Sequence, residues 1–273
     1  MAYDWVIVAY FFLAGLSAGA YLFSVGANYW KQEYKHLAKR SAVLSLMALG
    51  GGLLATALHL GRPDRIWQLY ASYNPQSMLS LAAWLLLAFG LIILIYTGLL
   101  LAGKEDKAKF FGYLGIPLAV FTAIYAAIHI NQAPDRILWH TALIPILFFN
   151  GAIISGLAAV MLLSAGQRNT EIMTKLGKYL ACLLMVELGM ILSEVILLLK
   201  GGTESFEVAL FLLSGKTGVL FLGFEIVLGA IIPTVILLKG KNGILFRVVV
   251  PLLVLIGIFV MRYVIVVGGQ LAS

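Results

Sequence analysis

A chain of 273 residues that is 62% apolar, 11% charged and +1.01 in mean hydropathy carries more apolar surface than a water-soluble fold of its size can hide, since a soluble domain is about 25% charged. The formal charge of +7 would suit a nucleic-acid partner if it covered one face, but it sits in short loops, which reports membrane topology and argues against nucleic acid. The single cysteine, Cys182, excludes an internal disulfide and a cysteine-ligated iron–sulfur cluster, and its apolar surroundings suggest packing rather than reactivity.

A bilayer core takes roughly 20 apolar residues in a helix. Eight stretches qualify, at 5–29, 41–61, 77–102, 111–132, 139–166, 179–200, 216–238 and 248–270. The opening "MAYDW" lacks the basic region of a cleaved secretory signal. The apolar runs are continuous, without the alternation of an outer-membrane strand, so the spans are helices. In the first, Gly15 and Gly19 form a GxxxG pattern, and Gly50, Gly51 and Gly52 follow in the second; both suggest close helix packing. The second and fourth spans end in related phrases, "HLGRPDRIW" (59–67) and "HINQAPDRILW" (129–139), which either repeat a helical hairpin or match by chance. In each, Pro ends a helix, Asp and Arg face water or a partner, and Trp67 or Trp139 anchors the next helix at the interface.

Lysine and arginine set the direction. The odd loops hold 13 of them (Lys31, Lys35, Lys39, Arg40, Lys104, Lys107, Lys109, Arg168, Lys175, Lys178, Lys239, Lys241, Arg247), and the even loops hold 5 (Arg62, Arg65, Arg136, Lys200, Lys216). The odd loops are therefore expected in the cytoplasm, with both termini outside. No loop is long enough for a nucleotide or a cluster, so any substrate is small or lipid-soluble, or the chemistry lies on a partner.

Ionisable groups at bilayer depth mark a pathway or a site. One set lies at the outer ends of the first four helices: Asp4, His59, Arg62, Asp64, Tyr125 and His129, with Gln76 and Asn131 nearby. A second lies in the last four: Glu187, Glu194, Glu225 and Arg262, three of them roughly 9–14 Å from the outer helix ends and Glu187 two turns further in. These four form either an ion-pair cluster or a proton-conducting chain. Among the histidines, His36 falls in a basic loop, while His59, His129 and His140 lie near the outer face. His59 and His129 could hold at most one haem. A quinone suits the outer set better, because His and Tyr donate to its carbonyls, a carboxylate exchanges protons, and Arg stabilises a reduced anion.

The stretches "YFFLAGLSAGAY" (10–21), "HLGRPDR" (59–65), "NPQSMLSLAAW" (74–84), "FEIVLGAIIP" (224–233) and "RYVIVVGGQ" (262–270) together resemble the NrfD/polysulfide-reductase membrane-subunit family, the integral anchors of complex iron–sulfur molybdoenzymes. The resemblance implies an all-α integral membrane fold of eight transmembrane helices in two four-helix bundles, 1–134 and 135–273. It implies no metal or haem in this chain, a quinone site on the outer side of the first bundle, an adjacent four-cluster ferredoxin-like iron–sulfur subunit and a molybdopterin catalytic subunit beyond. It places His59, Arg62 and Asp64 beside the quinone or the partner, maps the fourth-helix tyrosine to Tyr125, and puts Glu225 and Arg262 at polar positions of the second bundle. Many members carry a polar residue by the first helix where this chain has "AYDW", a role that would pass to Asp4. The combined expectation is a quinol-oxidising anchor in the cytoplasmic membrane of a prokaryote. It would use menaquinone before ubiquinone, dock its partner through Arg65, Trp67, Asp135 and Arg136, and move protons through Glu187, Glu194, Glu225 and Arg262. The alternatives are a one-haem cytochrome b-type anchor and a proton-coupled transporter.

Overall fold

Apolar sequence in lipid can satisfy its backbone only internally, and continuous apolar runs do so as helices. The computed structural model describes residues 3–59, 67–71, 73–133, 135–166, 170–240 and 243–272, and among these there is no strand. Among the described residues, eight helices are long and apolar enough to cross a membrane. They are α1 (Trp5–Tyr29), α2 (Lys35–His59), α3 (Met78–Leu101), α4 (Glu105–Asn131), α5 (Leu143–Leu163), α6 (Thr170–Lys200), α7 (Gly215–Lys239) and α8 (Leu245–Leu271). Shorter helices, Gln68–Ala71 and Thr203–Leu213, precede α3 and α7. The sequence reading takes the second for loop, but Val208, Ala209 and Leu212 give it a buried edge against α6 and α7.

The number of spans agrees with expectation, while three starts move. α2, α4 and α6 begin at Lys35, Glu105 and Thr170, not at 41, 111 and 179. Hydropathy sees only the part of a helix that lies in lipid, and Lys, Glu and Ala prolong the winding beyond it. Ion pairs join these emergent turns: Lys35 to Glu105 at 2.7 Å, and Lys175 to Glu33 at 2.9 Å and Glu171 at 3.1 Å. Their side chains are well exposed to solvent, so these pairs add little to stability.

Between helices in lipid there is little hydrophobic driving force, and close packing of small residues takes its place. α1 is the hub, touching α2, α4, α5 and α8. α3 touches α2 and α4, while α6 touches α5 and α7, and α8 touches α7 and α5. The α1–α5 crossing is the tightest: a methyl group on Gly19 would overlap the Ala152 carbonyl, and one on Gly156 would overlap the Gly19 backbone. The GxxxG reading holds for Gly19. It does not hold for Gly50 and Gly51, which face open space. α1 and α2 are joined by a reciprocal pair, Ser17 Oγ donating to the Ser45 carbonyl and Ser45 Oγ to the Ser17 carbonyl, each at 2.8 Å. Cys182 is exposed on the surface of α6 rather than packed inside.

α7 and α8 are wound unevenly. Val219–Ile231, Leu245–Val249 and Val264–Gly268 are π-helical, and prolines follow the first two at Pro233 and Pro251. A proline cannot donate a backbone bond and its ring crowds the carbonyl four residues back. Those carbonyls, on Gly229 and Arg247, lie in the widened turns.

Candidate functional site

Tyr125 and His129 are one turn apart on α4, so they share a face. That face meets α1, α2 and α3 around a cavity of about 200 Å³ lined by Tyr3, Ile7, Tyr10, Phe11, Thr56, Leu79, Ala82, Tyr125 and His129. The Tyr125 hydroxyl donates to the hydroxyl of Tyr10, leaving Tyr10 its own hydrogen to offer. His129 Nδ1 is buried and has no protein partner among the described residues. The Tyr3 ring stands edge-on to His129 and to Trp139, with centroids 6.2 and 5.8 Å apart. Burial pushes the Tyr3 phenol above its usual range, so it stays a neutral donor.

Tyr3 is placed by the far end of the chain. Its N–H donates to Gln270 Oε1 at 3.1 Å, and Gln270 Nε2 donates to the Tyr3 carbonyl at 2.9 Å. Arg136 Nη1 in turn donates to the Gln270 carbonyl at 2.7 Å, and Trp139 Nε1 to the Ile265 carbonyl at 2.7 Å. Ala82 and Tyr125 also line an adjoining groove of about 350 Å³, otherwise apolar, between Met78, Leu81 and Leu85 of α3 and Phe121 and Ile128 of α4. A polar-edged cavity thus adjoins an apolar slot, geometry that fits a small ring with two hydrogen-bonding oxygens and a lipid tail.

Of the residues expected here, Tyr125 and His129 line the cavity. Asp4 does not: Oδ1 caps α1, accepting from the N–H of Val6 at 3.0 Å and of Ile7 at 3.2 Å. Arg62, Asp64 and Arg65 lie outside the described residues, as does the His59 side chain, although His59 closes α2. Trp67 and Asp135 are exposed, whereas Arg136 is half-buried on Gln270. Trp139 is buried and not an interfacial anchor, because its indole is held by Ile265. Tyr3, Tyr10 and Gln270 do not stand out as polar markers in the sequence, although Tyr10 opens "YFFLAGLSAGAY" and Gln270 closes "RYVIVVGGQ".

The second polar set is buried throughout, with Glu187, Glu194, Glu225 and Arg262 at 2, 8, 4 and 1% exposure. The ion-pair cluster does not form: no carboxylate lies within 4.0 Å of Arg262 among the described residues. Its guanidinium instead lies 4.5 Å over the Phe148 ring, donates to the Phe148 carbonyl at 3.3 Å, and rests on Gly15 of α1. It lies within electrostatic range of Tyr125 and Glu187, and Glu187 within range of Glu225. Glu225, on the π-helical stretch of α7, shares an apolar cavity of about 30 Å³ with Glu194, whose Oε2 accepts from Thr141 Oγ1 at 3.1 Å. Glu187 Oε2, Glu194 Oε1 and Glu225 Oε2 have no protein partner among the described residues. One water fits a space of this size.

Among the described residues, eight long apolar helices enclosing buried carboxyls define a polytopic membrane protein. Over residues 1–272 the chain matches the family model described as "Polysulphide reductase, NrfD", and it belongs to that family. It is 26% identical to the C subunit of the polysulfide reductase of Wolinella succinogenes and 26% identical to the protein NrfD homolog of Haemophilus influenzae, in each case over 99% of this chain and 95% of the relative. It is 28% identical to an Hdr-like menaquinol oxidoreductase integral membrane subunit of Archaeoglobus fulgidus, over 85% of this chain and 61% of that protein.

Proposed function

We propose that this chain is the quinol-oxidising membrane subunit of a respiratory oxidoreductase. Electrons would go from menaquinol, or ubiquinol, to an external four-cluster iron–sulfur subunit and on to a molybdopterin catalytic subunit of the polysulfide or thiosulfate type. The observation that carries the reading is the unpartnered His129 Nδ1 in a cavity that also presents the Tyr10–Tyr125 hydroxyl pair. A buried polar atom without a partner is costly unless a ligand satisfies it. The names of the Wolinella and Archaeoglobus relatives, polysulfide reductase and menaquinol oxidoreductase, agree with this chemistry.

A bound quinol supplies two electrons and two protons. His129 Nδ1 would accept the proton of one quinol hydroxyl, Tyr10, placed by Tyr125, would hydrogen-bond the other oxygen, and the Asp64 carboxylate would take the second proton. Tyr3 and Phe11 exclude water on the α1 side, and Met78, Leu81 and Phe121 hold the tail. His59 is assigned to the site as the histidine of the stretch "HLGRPDR". Arg62 and Asp64 follow it, and Asp4 serves the site by fixing the start of α1. Protons would exchange from Tyr125 through Glu187, Glu225 and Glu194, with Arg262 as a fixed positive charge beside the path rather than a carrier, because a guanidinium stays protonated.

The same reading assigns the helices to two four-helix bundles, 1–134 and 135–273, with both termini outside the cytoplasmic membrane. The partner would dock on Arg65, Trp67, Asp135 and Arg136. Photolabelling of the purified complex with an azido-naphthoquinone tests the site. We expect label on α4 between Phe121 and His129, displaced by excess menaquinone analogue. Label that ignores the competitor, or that falls between α6 and α7, would overturn the assignment.

A further inference from the structure

At the opposite membrane end from the cavity, the first turns of α2 meet the last residues of α3 and α5. There Lys39, Arg40, Val43, Leu44, Met47, Leu101 and Leu163 line a groove of about 520 Å³. We propose that this groove binds one anionic glycerophospholipid, with an acyl chain along Val43, Met47, Leu101 and Leu163 and the phosphate on Lys39 and Arg40. The site is separate from the quinone cavity and does not depend on the function proposed above.

Two observations and one chemical constraint support it. Leu101 and Leu163 are the terminal residues of their helices, and Lys39 and Arg40 lie in the second turn of α2. The groove therefore runs from the level of the headgroups into the hydrocarbon. Both cations are exposed and have no carboxylate partner among the described residues, while Lys35 and Lys175 of the same rim are occupied by Glu105, Glu33 and Glu171. The occupant must also suit both halves of the groove. A zwitterionic lipid would bring a third positive charge to the cation pair, and a soluble anion would leave the apolar half unfilled. A lipid with a net negative headgroup matches both, each nearby cation strengthening binding roughly fivefold.

The test is native mass spectrometry of the detergent-solubilised full chain, titrated with dioleoylphosphatidylglycerol or dioleoylphosphatidylcholine. The wild type is expected to retain one phosphatidylglycerol in clear preference to phosphatidylcholine. Lys39→Gln and Arg40→Gln should each weaken phosphatidylglycerol roughly fivefold and leave phosphatidylcholine unchanged. Val43→Trp should fill the groove and abolish the tight adduct. Lys104→Gln, which removes an exposed cation of the same rim outside the groove, should change nothing. Equal retention of both lipids by the wild type overturns the proposal. So does a loss in Lys104→Gln matching that in Lys39→Gln, which would mean diffuse surface charge.

Discussion

The guanidinium of Arg262 rests on Gly15, one helix away, so closely that a methyl group at Gly15 would overlap Nη2. Gly15 and Gly19 are thus unlike members of one motif. At Gly15 the obstacle is the far end of a side chain, whereas at Gly19 it is the Ala152 backbone. Gly15→Ala should fold, with a loss of about 1–3 kcal/mol as Arg262 is pushed off the Phe148 carbonyl. Gly19→Ala should cost more, because α1 and α5 must separate. Thermal unfolding of the two variants in the same detergent should rank them in that order.

His129 and Tyr125 are expected to act in the chemistry rather than in the fold. His129→Gln should lower quinol oxidation by about 10²-fold or more, the size of a lost acid–base contribution. Tyr125→Phe should do less, since Tyr10 keeps its hydroxyl and loses only the donor that places it. In both variants, activity of the complex with an artificial donor that bypasses this subunit should persist. Loss of both activities would mean failed assembly instead.

Gln270 fixes Tyr3 across a separation of 267 residues. Gln270→Leu removes both bonds to Tyr3, a loss of about 0.5–1.5 kcal/mol for each. The N-terminal segment should then become sensitive to proteolysis. If Tyr3 closes the quinol site, KM for quinol should rise while kcat changes little. An unchanged KM beside rapid proteolysis would remove Tyr3 from the site.

Much of this was legible in the sequence, for reasons that differ by element. The spans were readable because lipid demands long apolar runs; the starts of α2, α4 and α6 were not, because those turns are polar. Tyr125 and His129 stood out as polar residues one turn apart in an apolar helix. Asp4 carries the charge at the start of α1, but it caps that helix, and the neighbouring Tyr3 lines the cavity. No local pattern encodes Gln270 meeting Tyr3, since that contact joins the two ends of the chain. Arg262 suggested an ion pair from its charge alone; the side chain found a carbonyl and an aromatic face instead.

The buried carboxyls give the last prediction. Glu187, Glu194 and Glu225 each keep one oxygen without a protein partner among the described residues, which a purely structural network would avoid. If they relay protons, Glu225→Gln should leave the fold intact, because the amide is isosteric and still able to hydrogen-bond, yet it cannot carry a proton onward. Quinol oxidation by the complex in detergent should stay within about twofold of wild type, as His129 still accepts the first proton. In sealed proteoliposomes, proton movement per electron should fall, and Glu187→Gln should reproduce the effect. Glu194→Gln should act more weakly, because Thr141 already holds one of its oxygens. Proton movement that is unchanged in Glu225→Gln and Glu187→Gln would make the row structural and leave the quinol site with a proton exit of its own.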